Sequence, residues 1–287
     1  MGIGVRRKKM DVILLGTLGS DVDKMETVAV ENGDNVIGKK VWEGPTPEGS
    51  FVNIGGPKNM STPEFFFLRM ANELPFVDAV RVGMELCGKY ATNLTRMGLE
   101  DGKYDFLIEQ RTTKEKIGAY LLQAYYTEEG RKAIEVLDMV VDGSASPMST
   151  YLYLIACIPR EHGGAGLPKA DVSVAYKTDN GLAPSSIGKY MAYDLYWPDR
   201  RVAVQYIGEK GGISGRDFDA LSTNNSNVVL VSGETLRNKE YVQDVIGDFA
   251  ARCVNGRTVT DIDLIWSMDA PRYDNMEMTY SDMVAHQ

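Results

Sequence analysis

The sequence predicts an α/β (α+β) fold, with a β-rich lead-in, a helical central region and a C-terminal mixed sheet flanked by helices. Three observations predict it. Between residues 61 and 157, apolar side chains recur at helical spacing behind Ser or Thr residues suited to capping. After about residue 170 the pattern changes to short β-branched and aromatic runs separated by Gly, Pro, Asn and Asp. Before residue 58 the apolar runs are short and broken. The corresponding units are 1–60, 61–145 and 146–287.

The lead-in carries apolar runs beginning at Val12, Thr27, Asn35 and Val41, followed by a Gly-Gly-Pro loop at 55–59. Ser61-Thr-Pro-Glu64 matches a capping box, with Ser61 as N-cap and Glu64 three residues on, so a helix is expected through about residue 74. A second helix over 76–87 ends at Gly88. Thr112-Thr-Lys-Glu115 opens a third, through residue 126, and 128–141 forms a fourth. Ser146-Pro147 opens a fifth, to about 157, with Pro at the first turn where its missing N–H is harmless. Strands are expected over 172–176, 190–196, 202–206 and 228–231. A short helix over 217–221 and an amphipathic helix over 238–254, stopped by Gly256, complete the pattern.

At 287 residues the chain suits one large or two ordinary domains. Its composition, 44% hydrophobic and 25% charged, is that of a globular protein. No apolar run reaches membrane-spanning length. The basic start is not followed by a signal-peptide h-region, because Val12–Leu15 stops at Gly16, so the expected location is cytoplasmic with no membrane partner. Cys87, Cys157 and Cys253 are widely spaced and read as buried free thiols, and only His162 and His286 accompany them, which leaves no zinc spacing. The net charge of −9 argues against a general nucleic-acid coat, which needs a basic face. It leaves open an inhibitor or antitoxin that binds protein.

The most informative stretch is Asp194-Leu-Tyr-Trp-Pro-Asp-Arg-Arg-Val-Ala-Val-Gln205. It reads as a β-hairpin turning at 198–201. Trp197 then faces Val202, and Asp194 faces Gln205 with β-carbons ~5 Å apart. Val202, Val204 and Tyr206 share one face, and Ala203 and Gln205 the other. A carboxylate beside a second oxygen donor suits Mg²⁺ or Mn²⁺, which polarises phosphate and activates water in nucleases. Gln205 supplies only a neutral carbonyl, and Glu209 compensates only if the chain curls after Gly208. Arg200, Arg201, Lys210 and Arg216 flank the hairpin as candidate contacts to a nucleic-acid backbone. Arg160-Glu-His-Gly-Gly-Ala-Gly reads as a flexible crossover loop in which His162 is exposed, not as a phosphate cradle.

Several stretches together resemble one bacterial group, the AbiEi and very-short-patch-repair-like endonuclease superfamily, especially its members in intestinal actinobacteria. They are Ser61-Thr-Pro-Glu-Phe-Phe-Phe-Leu, Glu85-Leu-Cys-Gly-Lys-Tyr90, Asp142-Gly-Ser-Ala-Ser-Pro-Met148, Ile158-Pro159 through Pro168, Asp194-Leu-Tyr-Trp-Pro198 and Val202-Ala-Val-Gln-Tyr206. They cover roughly residues 40–240. The resemblance implies a restriction-endonuclease-like domain of the PD-(D/E)XK type over 146–287. It also implies carboxylates where this chain carries Ser149, Gln205 and Ile207, leaving Asp194 as the surviving acid of the metal-binding set. The expected function is therefore a degenerate, weak or inactive nuclease-like protein, acting by binding nucleic acid or a partner protein in a defence or toxin–antitoxin system. Two alternatives stand beside it: an active Mg²⁺-dependent nuclease rebuilt around Asp194 and Glu209, with Asp217 or Asp219, and an acidic protein-binding inhibitor.

Overall fold

A computed structural model describes residues 12–15, 26–28, 44–55, 58–91, 105–106, 109–177, 190–207 and 227–232. The expected runs at Asn35 and Val41, the helices over 217–221 and 238–254, Cys253, and the candidates Glu209, Lys210 and Arg216 lie outside the described residues.

The lead-in strands β1 (Val12–Leu15), β2 (Glu26–Val28), β3 (Phe51–Gly55) and β4 (Lys58–Ser61) form one sheet in the order β2-β1-β4-β3. Strand β1 runs parallel to β4, and the outer pairs are antiparallel. Lys58 and Asn59, expected in a loop, belong to β4.

Helix α1 (Pro63–Glu73) is capped by Thr62, not Ser61. A residue preceding proline is driven to extended backbone. Thr62 adopts φ −71°, ψ 158°, and its hydroxyl accepts the Phe65 N–H at 3.4 Å. Ser61 is left as the buried last residue of β4. The capping box does not close, because the Glu64 carboxylate accepts the Thr112 hydroxyl instead.

Helix α2 (Phe76–Leu86) follows, and strands β5 (Tyr90–Ala91) and β6 (Asp105–Phe106) pair with each other. Helix α3 (Lys114–Leu121) opens on a Thr113 cap and gives way to a 3-10 turn over Leu122–Ala124, short of the expected end at 126. Helix α4 (Glu128–Met139) is capped by Thr127. Helix α5 (Pro147–Cys157) is capped by Ser146, and all of its residues are buried. A helix apolar all round belongs inside a domain, and α5 is the central helix of this one.

The second sheet, order β10-β9-β8-β7, comprises β7 (Asp171–Lys177), β8 (Tyr190–Trp197), β9 (Val202–Tyr206) and β10 (Asn227–Val231). It is mixed, since β10 runs parallel to β9 and the other pairs are antiparallel. Leu195, Trp197, Val202, Val204, Val229 and Val231 join the helices in one hydrophobic core, which runs without a break across residue 146. Burying an aliphatic or aromatic side chain of this kind contributes about 1.5–3 kcal/mol. Tyr193 and Ala203 form a small cluster on the other face, with Tyr196, Val228 and Leu230. The chain is thus of mixed α/β class. No helix among the described residues is long and apolar enough to cross a membrane.

The Arg160–His162 stretch is a 3-10 turn, and the loop after it folds back on α5. Ala165, Gly166 and Leu167 donate backbone bonds to Ile155, Ile158 and Ala156 at 2.8–2.9 Å. Gly163 takes φ +87°, and a side chain at Gly164 would collide with the Ile158 carbonyl. The glycines therefore let the loop close back on the end of α5, where the sequence reading expected a flexible crossover. His162 is half-buried rather than exposed, stacked on Phe76 with ring centroids 3.7 Å apart.

Candidate functional site

The hairpin pairs Leu195 with Val204 and Trp197 with Val202, which is the expected register. The next pair, Asp194 and Gln205, does not continue the ladder. The Tyr206 N–H points at the Asp194 carboxylate instead, at 2.7 Å to Oδ2. On the other side of β8, Val172 pairs with Leu195 and Val174 with Tyr193, so Ser173 stands opposite Asp194. Ser173 has φ +52°, a left-handed conformation unusual for a non-glycine residue, and its hydroxyl accepts the Ala145 N–H at 3.0 Å. Side-chain alternation breaks at the same place. Tyr193 packs in the small cluster, while Leu195 and Trp197 pack in the main core. Both neighbouring strands are thus irregular where Asp194 sits.

That irregularity brings Asp194 to the first turn of α5. The Ser149 hydroxyl donates to Oδ1 at 2.6 Å, and the Gln205 side-chain amide donates to Oδ2 at 3.0 Å. Three positions that the sequence singled out therefore meet around one carboxylate. Ser149 also contacts Ser146, Oγ to Oγ at 2.8 Å, and its N–H donates to Ser146 Oγ at 3.0 Å as part of the helix cap. Because the Ser149 proton is committed to Asp194, Ser146 donates to Ser149. A second run of hydroxyls lies beside the first. Ser144 donates to the Ser146 carbonyl and contacts Thr150 at 2.8 Å, and Thr150 contacts the Tyr90 hydroxyl at 2.9 Å.

Asp194 as a residue is half-buried, but its carboxylate is enclosed by protein. Burial pushes its pKa above the ordinary 3.8, and the bonds from the Ser149 hydroxyl and the Tyr206 N–H offset this without cancelling it. The Gln205 carbonyl oxygen is buried and has no hydrogen-bond partner among the described residues.

The described donor set does not fit a divalent cation. Mg²⁺ binds through oxygen lone pairs, normally of one or two carboxylates with waters. Here the one carboxylate already accepts from three donors, which leaves about one of its four acceptor positions, and Ser149 and Gln205 turn hydrogens, not lone pairs, toward it. Among the described residues no group of three or more His, Cys, Asp and Glu side chains is gathered. Arg200 and Arg201 are exposed at the hairpin turn. The end of β8 is three residues from Asp194, about 10 Å along a strand, so these arginines stand away from the carboxylate. Cys87 and Cys157 are buried free thiols.

The sequence reading took Ser146 as the opening of a helix and gave it no place at the site, and it gave none to Ser173 or the Tyr206 N–H. Ser146 had a visible signal, because Ser144, Ser146, Ser149 and Thr150 crowd four short hydroxyl side chains around the start of a largely apolar helix. No family model, curated protein or solved structure matches the chain.

Proposed function

We propose that this chain is a nuclease-like protein that does not cut, and that acts by binding a partner within a defence or toxin–antitoxin system. The observation that carries the reading is the state of Asp194. Its carboxylate is bonded to Ser149 and Gln205, two of the three positions where the resemblance implies acids, and to the Tyr206 backbone N–H. Phosphodiester hydrolysis of the kind the resemblance implies needs carboxylates free to hold a cation and raise a hydroxide. This cluster supports a structural tie between α5 and the sheet. The net charge of −9 favours a protein partner over bare nucleic acid.

The test is cleavage of single- and double-stranded DNA and RNA with Mg²⁺ or Mn²⁺, beside Asp194→Ala and Glu209→Ala. The expected outcome is no cleavage by well-folded protein. Metal-dependent cleavage abolished by Asp194→Ala would sink the proposal, and its loss in Glu209→Ala would identify an active nuclease with a rebuilt site.

A further inference from the structure

Helix α4 ends without a basic residue in its last turn. Its final carbonyls carry the negative end of the helix dipole and have no partner within the helix. Two lysines from distant segments supply the cations instead. Lys114, the first residue of α3, donates its ammonium to the Asp138 carbonyl at 2.7 Å and to the Val140 carbonyl at 2.8 Å. Lys169, just before β7, donates to the same Asp138 carbonyl at 2.8 Å and pairs with the Asp138 carboxylate at 2.8 Å.

Two ammonium groups on one oxygen crowd each other. From those distances their nitrogens stand within about 5.5 Å, where each like charge opposes the other's protonation. Their partners decide which of the two yields. Lys169 holds a carboxylate, which stabilises its charge. Lys114 holds two neutral carbonyls and uses two of its three N–H hydrogens on them. A neutral amine keeps two hydrogens, so Lys114 can release a proton and retain both bonds. Its lone pair then takes the third direction.

The charged and titratable groups facing this amine are Lys169, Asp138, Asp142 and Cys87. Burial lowers its pKa below 10.5 and Lys169 lowers it further, while Asp138, Asp142 and Cys87 pull the other way without cancelling. The side chain is half-buried, and its bond to Asp138 lies at the surface. The Lys114 backbone N–H is fixed on the Asp142 carboxylate at 2.7 Å, which anchors the stem.

We propose that Lys114 is a modification site, whose amine takes an activated acyl group (from a thioester or an acyl phosphate) ahead of the exposed lysines Lys89 and Lys116. The nitrogen attacks the acyl carbon. The bond to sulfur or to phosphate oxygen breaks, its electron pair goes to the leaving group, and one amine proton is released. The resulting amide has no charge and a single N–H for two carbonyls, so acylation withdraws part of the cap on α4. This goes beyond the binding role proposed above and does not depend on it.

The experiment treats the full chain with acetyl phosphate and, separately, with a small acetyl thioester, and follows each lysine by peptide mass spectrometry across pH. With at least one reagent, Lys114 is expected to react about threefold faster at neutral pH than Lys89 and Lys116, with a rate that levels off below the ordinary 10.5. The reagent that works identifies the source of the acyl group. Lys169→Gln should slow Lys114 about threefold by removing the like charge, and Asp138→Asn should speed it by removing an opposite one. Both substituted side chains are solvent-exposed, so the fold tolerates the changes. A Lys114 rate no greater than those of Lys89 and Lys116 with both reagents, or one that the two substitutions fail to move in opposite directions, would overturn the proposal.

Discussion

Helix α5 lies in two environments. Toward its C-terminal end, Leu152, Leu154, Ile155 and Ala156 sit in the main apolar core. In its first turn, Ser146, Ser149 and Thr150 hold their neighbours through hydrogen bonds, and Ser149 fastens the helix to Asp194 on β8. The first kind of contact is broad and forgiving, because any side chain of similar volume restores much of it. The second is matched partner by partner, and removing one member strands the others in a place where water cannot replace it. The apolar half supplies cohesion. The polar half fixes where the helix start sits on the sheet.

The largest expected effect is in the apolar half. Leu154, in the apolar half of α5, is buried in the main core, and Leu154→Ala should cost about 4 kcal/mol of unfolding free energy in a urea titration. Asp194→Ala should come next, at roughly 3 kcal/mol, because it takes the carboxylate acceptor from the Ser149 hydroxyl and the Tyr206 N–H and leaves the Gln205 amide with the Tyr206 carbonyl alone. A neutral outcome there would break the comparison and return Asp194 to a chemical role. Ser149→Ala removes one donor of the three, and about 1 kcal/mol is expected.

The gentlest effect is a dependence on pH. A carboxyl group whose folded pKa is raised binds its proton more tightly when folded, so its stability contribution is present in acid and is lost as pH rises through the folded value. Asp194 is raised above 3.8. Relative to Asp194→Asn, which cannot ionise there, the native chain should therefore lose stability as pH climbs above 3.8 toward neutrality. Thermal unfolding of the pair across that range checks it, and a native chain that gains stability relative to Asp194→Asn as pH rises would reverse the assignment of burial as the dominant influence.

Much of this was legible in the sequence because it follows from local rules. The proline after Ser146 and the Gly-rich ends bounded the helices, and the hairpin turn set the partners of Trp197. The face of Ala203 and Gln205 followed from strand alternation. The misplaced cap at Ser61 was a legible feature misread, since Pro63 already assigned the cap to Thr62. Other features depend on contacts distant in sequence. Glu64 is drawn from its own helix end by Thr112, 48 residues away. The left-handed Ser173 is held by Ala145. The occupied state of Asp194 needs Ser149, 45 residues earlier, to arrive at its first oxygen. Residue types named these groups, but not the bonds by which they satisfy one another.

The two hydroxyl runs at the start of α5 have a consequence for observation. A serine proton ordinarily spins among several acceptors and exchanges with water too fast to be seen. Here Ser146 must give its proton to Ser149 and Ser149 to Asp194, while Tyr90 gives to Thr150 and Thr150 to Ser144. Tyr90, Ser144, Ser149 and Thr150 are all buried. The molecule thus carries hydroxyl hydrogens of defined direction, which should persist as discrete, slowly exchanging proton resonances and give a spectroscopic handle on whether the junction is closed.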